Sequence, residues 1–144
     1  METALPEVRL FVYGLLLRGE REHALLEGAT LLGEVRTLPQ YTLVDLDFYP
    51  ALLAFGTVSV LGEVYAVSRH LRYLADVHHE CPALFERVTV GLADGTQAET
   101  YVMDEGKVRG KRRLKEGSWR GRFLPRPSGA PIGPMAEYAR KRFC

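Results

Sequence analysis

Four ionisable side chains and one thiol fall within six consecutive residues, from Asp76 to Cys81, directly before Pro82. An imidazole beside a carboxylate can supply a general base. The same segment contains two adjacent histidines, His78 and His79. Adjacent residues on a helix point about 100° apart, so this pair is not expected to share one ion, and no metal site is predicted. The structural alternative is that these polar residues only cap the end of a helix.

A second candidate is the loop formed by Tyr13, Gly14, Leu15 and Leu16, which follows an apolar stretch typical of a buried strand. Glycine at a strand end lets the backbone turn sharply and expose successive N–H groups. Such a loop can bind a carboxylate or a phosphate. Without further support, the same pattern indicates only a turn.

Aromatic residues supply a third, less specific signal. Tyr41, Tyr49, Tyr65 and Phe85 fall at strand or turn positions, where aromatic rings either fill a core or line a small-molecule pocket. Cys81 has no partner at a spacing that would activate it as a nucleophile, so we expect an inert thiol.

Strands must position these residues. Short apolar or alternating runs predict strands over 8–13, 30–38, 41–45, 51–55, 58–67, 85–92 and 97–103. Helical patterns cover 22–26, 68–79 and 135–142, and Ser68 is the expected N-cap of the second. Gly33 suggests a bulge, and Asp94-Gly95 predicts a tight hairpin. Because strands dominate and do not alternate regularly with helices, the pattern favours an α+β fold on a twisted or barrel-like sheet.

The composition is that of one globular domain. The 144 residues are 47% hydrophobic, and 19 basic residues nearly balance 18 acidic ones. This balance argues against a nucleic-acid partner, although residues 107–126 hold nine Lys or Arg and one Glu. We interpret this segment as a solvated basic face, and the alternative is that it binds an anionic partner. Two cysteines without a CxxC pair indicate a reduced, cytoplasmic protein. No signal peptide or membrane span is predicted. The chain from about residue 104 is expected to be irregular, basic and then rich in Pro and Gly.

Taken together in order, several segments resemble the γ-glutamylcyclotransferase-like family. The nearest branch is similar to γ-glutamylamine cyclotransferase and to the butirosin-pathway deprotecting enzyme. The resemblance covers about residues 8–122. The matching segments are Leu10–Leu16 (LFVYGLL), Tyr41–Val44 followed by Tyr49-Pro50, Gly62–Tyr65 (GEVY), Cys81–Phe85 (CPALF) with Arg87, and Gly117–Trp119 (GSW).

The resemblance implies a small mixed β-barrel with flanking helices and an enzyme that needs no metal or organic cofactor. The implied substrate is a γ-glutamyl amine or peptide, whose α-amino nitrogen attacks its own γ-carbonyl and releases 5-oxoproline. The resemblance assigns the γ-glutamyl head to residues 13–16, with Tyr49 and Phe85 beside them. It implies nothing about the oligomeric state.

Three positions depart from the family pattern. Leu15 stands where the family has Thr or Ser, and Phe85 replaces a tyrosine. His79 stands three residues before Pro82, where the family has its catalytic glutamate. Three interpretations follow. His79 is the base, since an imidazole with a pKa of ~6.5 suits proton abstraction near neutrality. Alternatively, a one-residue bulge brings Glu80 into the site, or the fold has been repurposed to bind a small molecule or to catalyse another reaction.

Overall fold

The computed structural model describes residues 7–123. Their strands are β1 (Glu7–Val12), β2 (Thr30–Arg36), β3 (Tyr41–Asp45), β4 (Pro50–Val58), β5 (Leu61–Ser68), β6 (Glu86–Gly91), β7 (Gln97–Val102) and β8 (Arg112–Arg113). One α-helix, α1, spans Arg69–His78, and short 3-10 helices span His23–Leu26, Glu105–Val108 and Arg120–Phe123. The α+β class predicted from the sequence is confirmed.

The eight strands form one mixed sheet in the order β2-β5-β1-β7-β4-β3-β8, and β6 pairs with β7. β1 lies in the middle, antiparallel to β5 and parallel to β7. Its neighbouring residues Leu10 and Phe11 point to opposite faces, yet both are fully buried. Each belongs to a different apolar cluster, so both faces of the central strand are covered.

The sheet does not close into a barrel, which corrects that detail of the expected architecture. Its hydrogen-bonded order has two ends, β2 and β8. Beyond the strands, an isolated bridge joins Thr37 to Leu92, after the ends of β2 and β6. One bridge does not make a continuous ladder, so the sheet remains open.

Element boundaries differ from the sequence pattern at two places. A strand was predicted over 51–55, but β4 continues to Val58, which pairs with Tyr41 across a register shift. Gly56 is accommodated as a bulge, so β5 starts at Leu61 and not at 58. The helix expected over 22–26 is a single 3-10 turn. The helix expected over 135–142 and the Pro/Gly-rich segment before it lie outside the described residues.

Local signals elsewhere were reliable. Ser68 caps α1 by accepting a hydrogen bond from the Leu71 N–H at 3.0 Å. The bulge expected at Gly33 is present as a register shift between β2 and β5. Within residues 7–123 no helix is long and apolar enough to cross a membrane.

Candidate active site

A cavity of about 230 Å³ opens where β1 ends. Its walls come from five parts of the chain. These are residues 11–16, 21–22, 49–50, 78–80 with 84–85, and 100–101. Eight residues expected from the sequence to act as the base or to bind substrate line this one cavity: Tyr13, Gly14, Leu15, Leu16, Tyr49, His79, Glu80 and Phe85.

The loop after β1 presents backbone N–H groups at the cavity wall. Leu17 N–H donates to Gly14 O at 3.1 Å, which closes a tight turn over residues 14–17. Within the described part of the chain, the N–H groups of Leu15 and Leu16 donate to no protein acceptor. A Cβ on Gly14 would lie 2.5 Å from the Pro50 side chain, so only glycine lets the loop approach this closely. The geometry suits an anionic or carbonyl oxygen.

A buried carboxylate anchors this loop from β5. Glu63 is 1% exposed and accepts hydrogen bonds from Arg18 N–H at 2.9 Å, Arg18 Nε at 3.2 Å and the Tyr65 hydroxyl at 2.8 Å. Burial by itself would raise the pKa of Glu63, but these hydrogen bonds outweigh it and lower the pKa. The Glu63 carboxylate is therefore ionised, and its bonds to Arg18 hold the end of the loop against β5.

His79 follows α1 as its C-cap, and its ring is fixed on three sides. It stacks on Tyr101 with ring centroids 3.8 Å apart and an interplanar angle of 6°. The Phe85 ring meets it edge-on at 5.2 Å. His79 Nδ1 lies 2.7 Å from the carbonyl oxygen of Ala75. A carbonyl only accepts, so Nδ1 carries the proton in this contact and Nε2 holds the lone pair.

Burial lowers the pKa of His79 to about 4. Burial is the largest cause, the contact with Ala75 O opposes it, and His78 adds to the lowering. The imidazole is therefore neutral near pH 7. No polar group among residues 7–123 bonds to Nε2, which leaves this nitrogen able to accept a proton from a ligand.

A second set of contacts fixes Tyr101 beneath His79. The Tyr101 hydroxyl donates to Asp76 at 2.7 Å, and Arg87 forms an ion pair with the same carboxylate. Burial, and then the bond to Asp76, raises the pKa of Tyr101, so its phenol stays protonated. Asp76 and Arg87 thus hold the Tyr101 ring in place against His79.

Glu80 also lines the cavity but is held differently. It is exposed, and its side chain has no hydrogen-bond or ion-pair partner in the described chain. Its backbone has φ 53°, in the left-handed region. Glu80 N–H donates to Val77 O and Cys81 N–H to Asp76 O, both at 3.0 Å, which is a helix-ending arrangement that usually uses glycine.

The aromatic candidates divide into two groups. Tyr49 and Phe85 pair at 6.3 Å on the cavity wall. The Tyr13 hydroxyl is already committed, since it donates to Tyr101 O and accepts from Leu52 N–H. Tyr41 and Tyr65 do not line the cavity. Their hydroxyls bond to Gly91 N–H and Glu63, respectively, so they serve the framework.

Sequence reasoning missed several cavity residues, among them Arg21, Glu22 and Tyr101. Glu22 Oε1 lies 2.7 Å from His78 Nε2. Nothing in the local pattern marks this pair, because 55 intervening residues separate the two.

Among residues 7–123 no group of three or more His, Cys, Asp or Glu side chains is placed to hold a metal ion. Burial raises the pKa of the Cys81 thiol, as expected for an unreactive cysteine.

One cavity therefore joins the half-buried His79 ring to the loop after β1. Comparisons with known proteins then identify the family. The family model for gamma-glutamyl cyclotransferase, AIG2-like, matches residues 10–121. The chain therefore belongs to the γ-glutamyl cyclotransferase (AIG2-like) family.

Individual relatives share most of the fold. A Vibrio cholerae protein provisionally named gamma-glutamylcyclotransferase is 41% identical over 96 residues, 67% of this chain and 82% of the relative. Human gamma-glutamylaminecyclotransferase is 34% identical over 91 residues, 56% of this chain and 59% of the human protein. The crystal structure of a uropathogenic E. coli-specific protein superposes with a TM-score of 0.71 at 25% identity, covering 81% and 94% of the two chains.

Proposed function

We propose that this protein is a γ-glutamyl-amide cyclotransferase. In this reaction the substrate's α-amino nitrogen forms a bond to its own γ-carbonyl carbon, the amide C–N bond breaks, and 5-oxoproline and a free amine leave. The name of the human relative points to γ-glutamyl amines as the substrate class. The family membership supports the general reaction, and the pocket supports the way this chain would perform it.

The observation that carries the proposal is the fixed, neutral imidazole of His79 in the same cavity as the N–H loop. Nε2 takes one proton from the α-ammonium group, so that the amine can attack. Nε2 then delivers this proton to the departing amine nitrogen as the amide C–N bond breaks. The attacking nitrogen loses a second proton as the lactam forms, and the released amine takes it up and leaves as an ammonium ion, so that the reaction balances. With a pKa of about 4, half-buried His79 has nearly the proton affinity of an ordinary glutamate, ~4.3.

The loop after β1 supplies the second requirement of the reaction, which is hydrogen-bond donors for the oxygens of the substrate. The N–H groups of Leu15 and Leu16 are available to an oxygen of the substrate, either its carboxylate or the oxyanion that develops at the γ-carbonyl. Neither role uses a side-chain hydroxyl, so Leu15 in place of Thr or Ser leaves both intact. The walls from Tyr49 and Phe85 would fold the substrate into a ring-closing conformation, which is an orientation effect.

The decisive experiment measures 5-oxoproline released from a panel of γ-glutamyl amines and dipeptides. Wild type is compared with His79→Ala and Glu80→Ala. Loss of a general base costs about 10²- to 10⁴-fold in kcat. We expect that loss for His79→Ala and nearly wild-type turnover for Glu80→Ala, because only His79 is held in place.

Other outcomes would change the assignment. Loss of turnover only in Glu80→Ala would move the base to Glu80. No 5-oxoproline from any substrate, with the wild type folded, would favour a repurposed pocket that binds another small molecule.

A further inference from the structure

The proposed reaction places an α-ammonium group in a pocket whose base carries no negative charge. An ionised carboxylate at position 79 would attract that cation and accept its proton. Neutral His79 can do only the second, because its folded form bears no charge near pH 7. A cation in a partly buried site needs a charged partner. Another anionic group on the cavity wall must therefore meet it.

Glu22 is well placed for this task. Its backbone N–H donates to Leu15 O at 3.0 Å, which ties it to the loop proposed to hold the substrate carboxylate. The α-ammonium and α-carboxylate of an amino acid share one carbon, so their binding groups must be neighbours. The Glu22 side chain is 34% exposed and lines the same cavity as His79.

One oxygen of Glu22 is fixed and the other is available. Oε1 lies 2.7 Å from His78 Nε2, which holds the carboxylate in one orientation. Among residues 7–123, the single ion-pair partner of Oε2 is Arg21, at 4.0 Å, and that guanidinium is 60% exposed and donates to Phe48 O. An exposed ion pair of this length is weak. A ligand ammonium that is shielded from water would compete well for Oε2.

We propose that Glu22, oriented by His78, binds the α-ammonium group of the substrate, and that it thereby makes the pocket selective for ligands with a free α-amino acid head. This assignment rests on the proposed function for the identity of the ligand. In this arrangement Glu22 binds the α-ammonium group, and His79 accepts a proton from it.

Glu80 is the competing carboxylate at this cavity. It is exposed, and no contact in the described chain holds its side chain. Ordering a free glutamate on each binding event costs side-chain entropy that Glu22, already bonded to His78, has largely lost. The structure therefore favours Glu22.

Two ligands that cannot react isolate the ammonium contact. In 2-amino-5-ethoxypentanoate a CH2–O link replaces the amide, so no amine can leave, and 5-ethoxypentanoate differs only by lacking the amino group. Calorimetric or NMR titration would measure both ligands on wild type, Glu22→Gln and Glu80→Gln. Glu27→Gln is the matched control, since Glu27 is exposed and outside the cavity.

We expect wild type and Glu27→Gln to prefer the amino ligand by about tenfold, as a charge-assisted hydrogen bond would give. Glu22→Gln should abolish this preference by weakening the amino ligand alone, and the unchanged binding of 5-ethoxypentanoate shows that the pocket is intact. The assignment is wrong if wild type shows no preference or binds neither ligand. It is also wrong if Glu22→Gln weakens both ligands equally, or if Glu80→Gln removes the preference.

Failure of the proposed function is a separate result. If wild type prefers the amino ligand through Glu22 but releases no 5-oxoproline, cyclotransfer is refuted and the amino-acid head site stands. If 5-oxoproline is released while Glu22→Gln keeps the preference, cyclotransfer stands and the assignment of Glu22 falls.

Discussion

Replacing His79 by glutamine should remove part of the acid sensitivity of the folded protein. The imidazole is neutral in the fold because burial lowers its pKa to about 4. In the unfolded chain it has the ordinary pKa of ~6.5. Between these two values the unfolded chain binds a proton that the folded protein refuses. Folded stability therefore falls as the pH drops from about 6.5 to 4, and the penalty is constant below that.

The size of the effect follows from the two pKa values. The linkage contribution of His79 is about 0.2 kcal/mol at pH 7 and about 2.5 kcal/mol at pH 4.5, in the direction of unfolding. Glutamine does not titrate, so it avoids this penalty. It also loses the ring stacking on Tyr101, which should make the variant less stable at pH 7 by about 1–2 kcal/mol. The gap between wild type and variant should therefore close or reverse at low pH.

Urea unfolding of both proteins at about pH 7 and about pH 4.5 would measure this change. The single tryptophan, Trp119, is buried and reports unfolding by fluorescence. The matched control is His70→Gln, on the exposed first turn of α1. It should keep the wild-type dependence of stability on pH.

A specific result would refute this reasoning. If wild type and His79→Gln lose the same free energy of unfolding between the two pH values, within about 0.5 kcal/mol, then His79 is not a buried neutral imidazole. The assignment of a free Nε2 base would then lose its electrostatic support. NMR titration of the His79 ring should place its pKa near 4 if the structure is right.

Three further substitutions test other parts of the site. Glu63→Gln should destabilise the protein by about 2 kcal/mol in urea unfolding, because it weakens the charged hydrogen bonds to Arg18 that anchor the loop. Gly14→Ala should cost about 1–3 kcal/mol and reduce kcat/KM, since the added methyl collides with Pro50. Glu80→Gly should raise the free energy of unfolding by about 1 kcal/mol by relieving the left-handed backbone, and should leave 5-oxoproline release intact.

Each has a contrary outcome. Full stability in Glu63→Gln would mean that the buried carboxylate does not hold the loop. Unchanged kinetics in Gly14→Ala would mean that the loop position is not critical for the reaction. Loss of turnover in Glu80→Gly would point to Glu80 as a working side chain.

Features with local causes could be predicted from the sequence. The Asp94-Gly95 turn joins β6 to β7 as a hairpin, with Gly91 paired to Gln97. Ser68 caps α1 because a hydroxyl before a helix satisfies an otherwise free N–H. The cavity residues, by contrast, were assigned through the resemblance to the γ-glutamylcyclotransferase-like family, whose motifs occur in the same order in this chain. The strand end predicted at residue 55 was wrong, because β4 continues past Gly56 to Val58, and only the pairing with β3 decides between a break and a bulge there.

Contacts between segments that are distant in the chain could not be predicted from the sequence. The parallel pairing of β1 with β7 brings Tyr101 to the cavity, where it stacks on His79. Glu22 meets His78 because the 3-10 turn after β1 packs against α1. No local pattern encodes these meetings, because they depend on the order of strands in the sheet.

By itself, the sequence determined the class of fold, the two segments that meet at the site, and the replacement of a carboxylate by an imidazole at position 79. The tertiary structure alone decided what that imidazole can do. Side-chain type sets an ordinary pKa of ~6.5, whereas the surroundings assembled from α1, β7 and Phe85 partly desolvate the ring and lower its pKa to about 4. Desolvation depends on what the fold packs around a group, so it cannot be inferred from the residue and its neighbours in the chain.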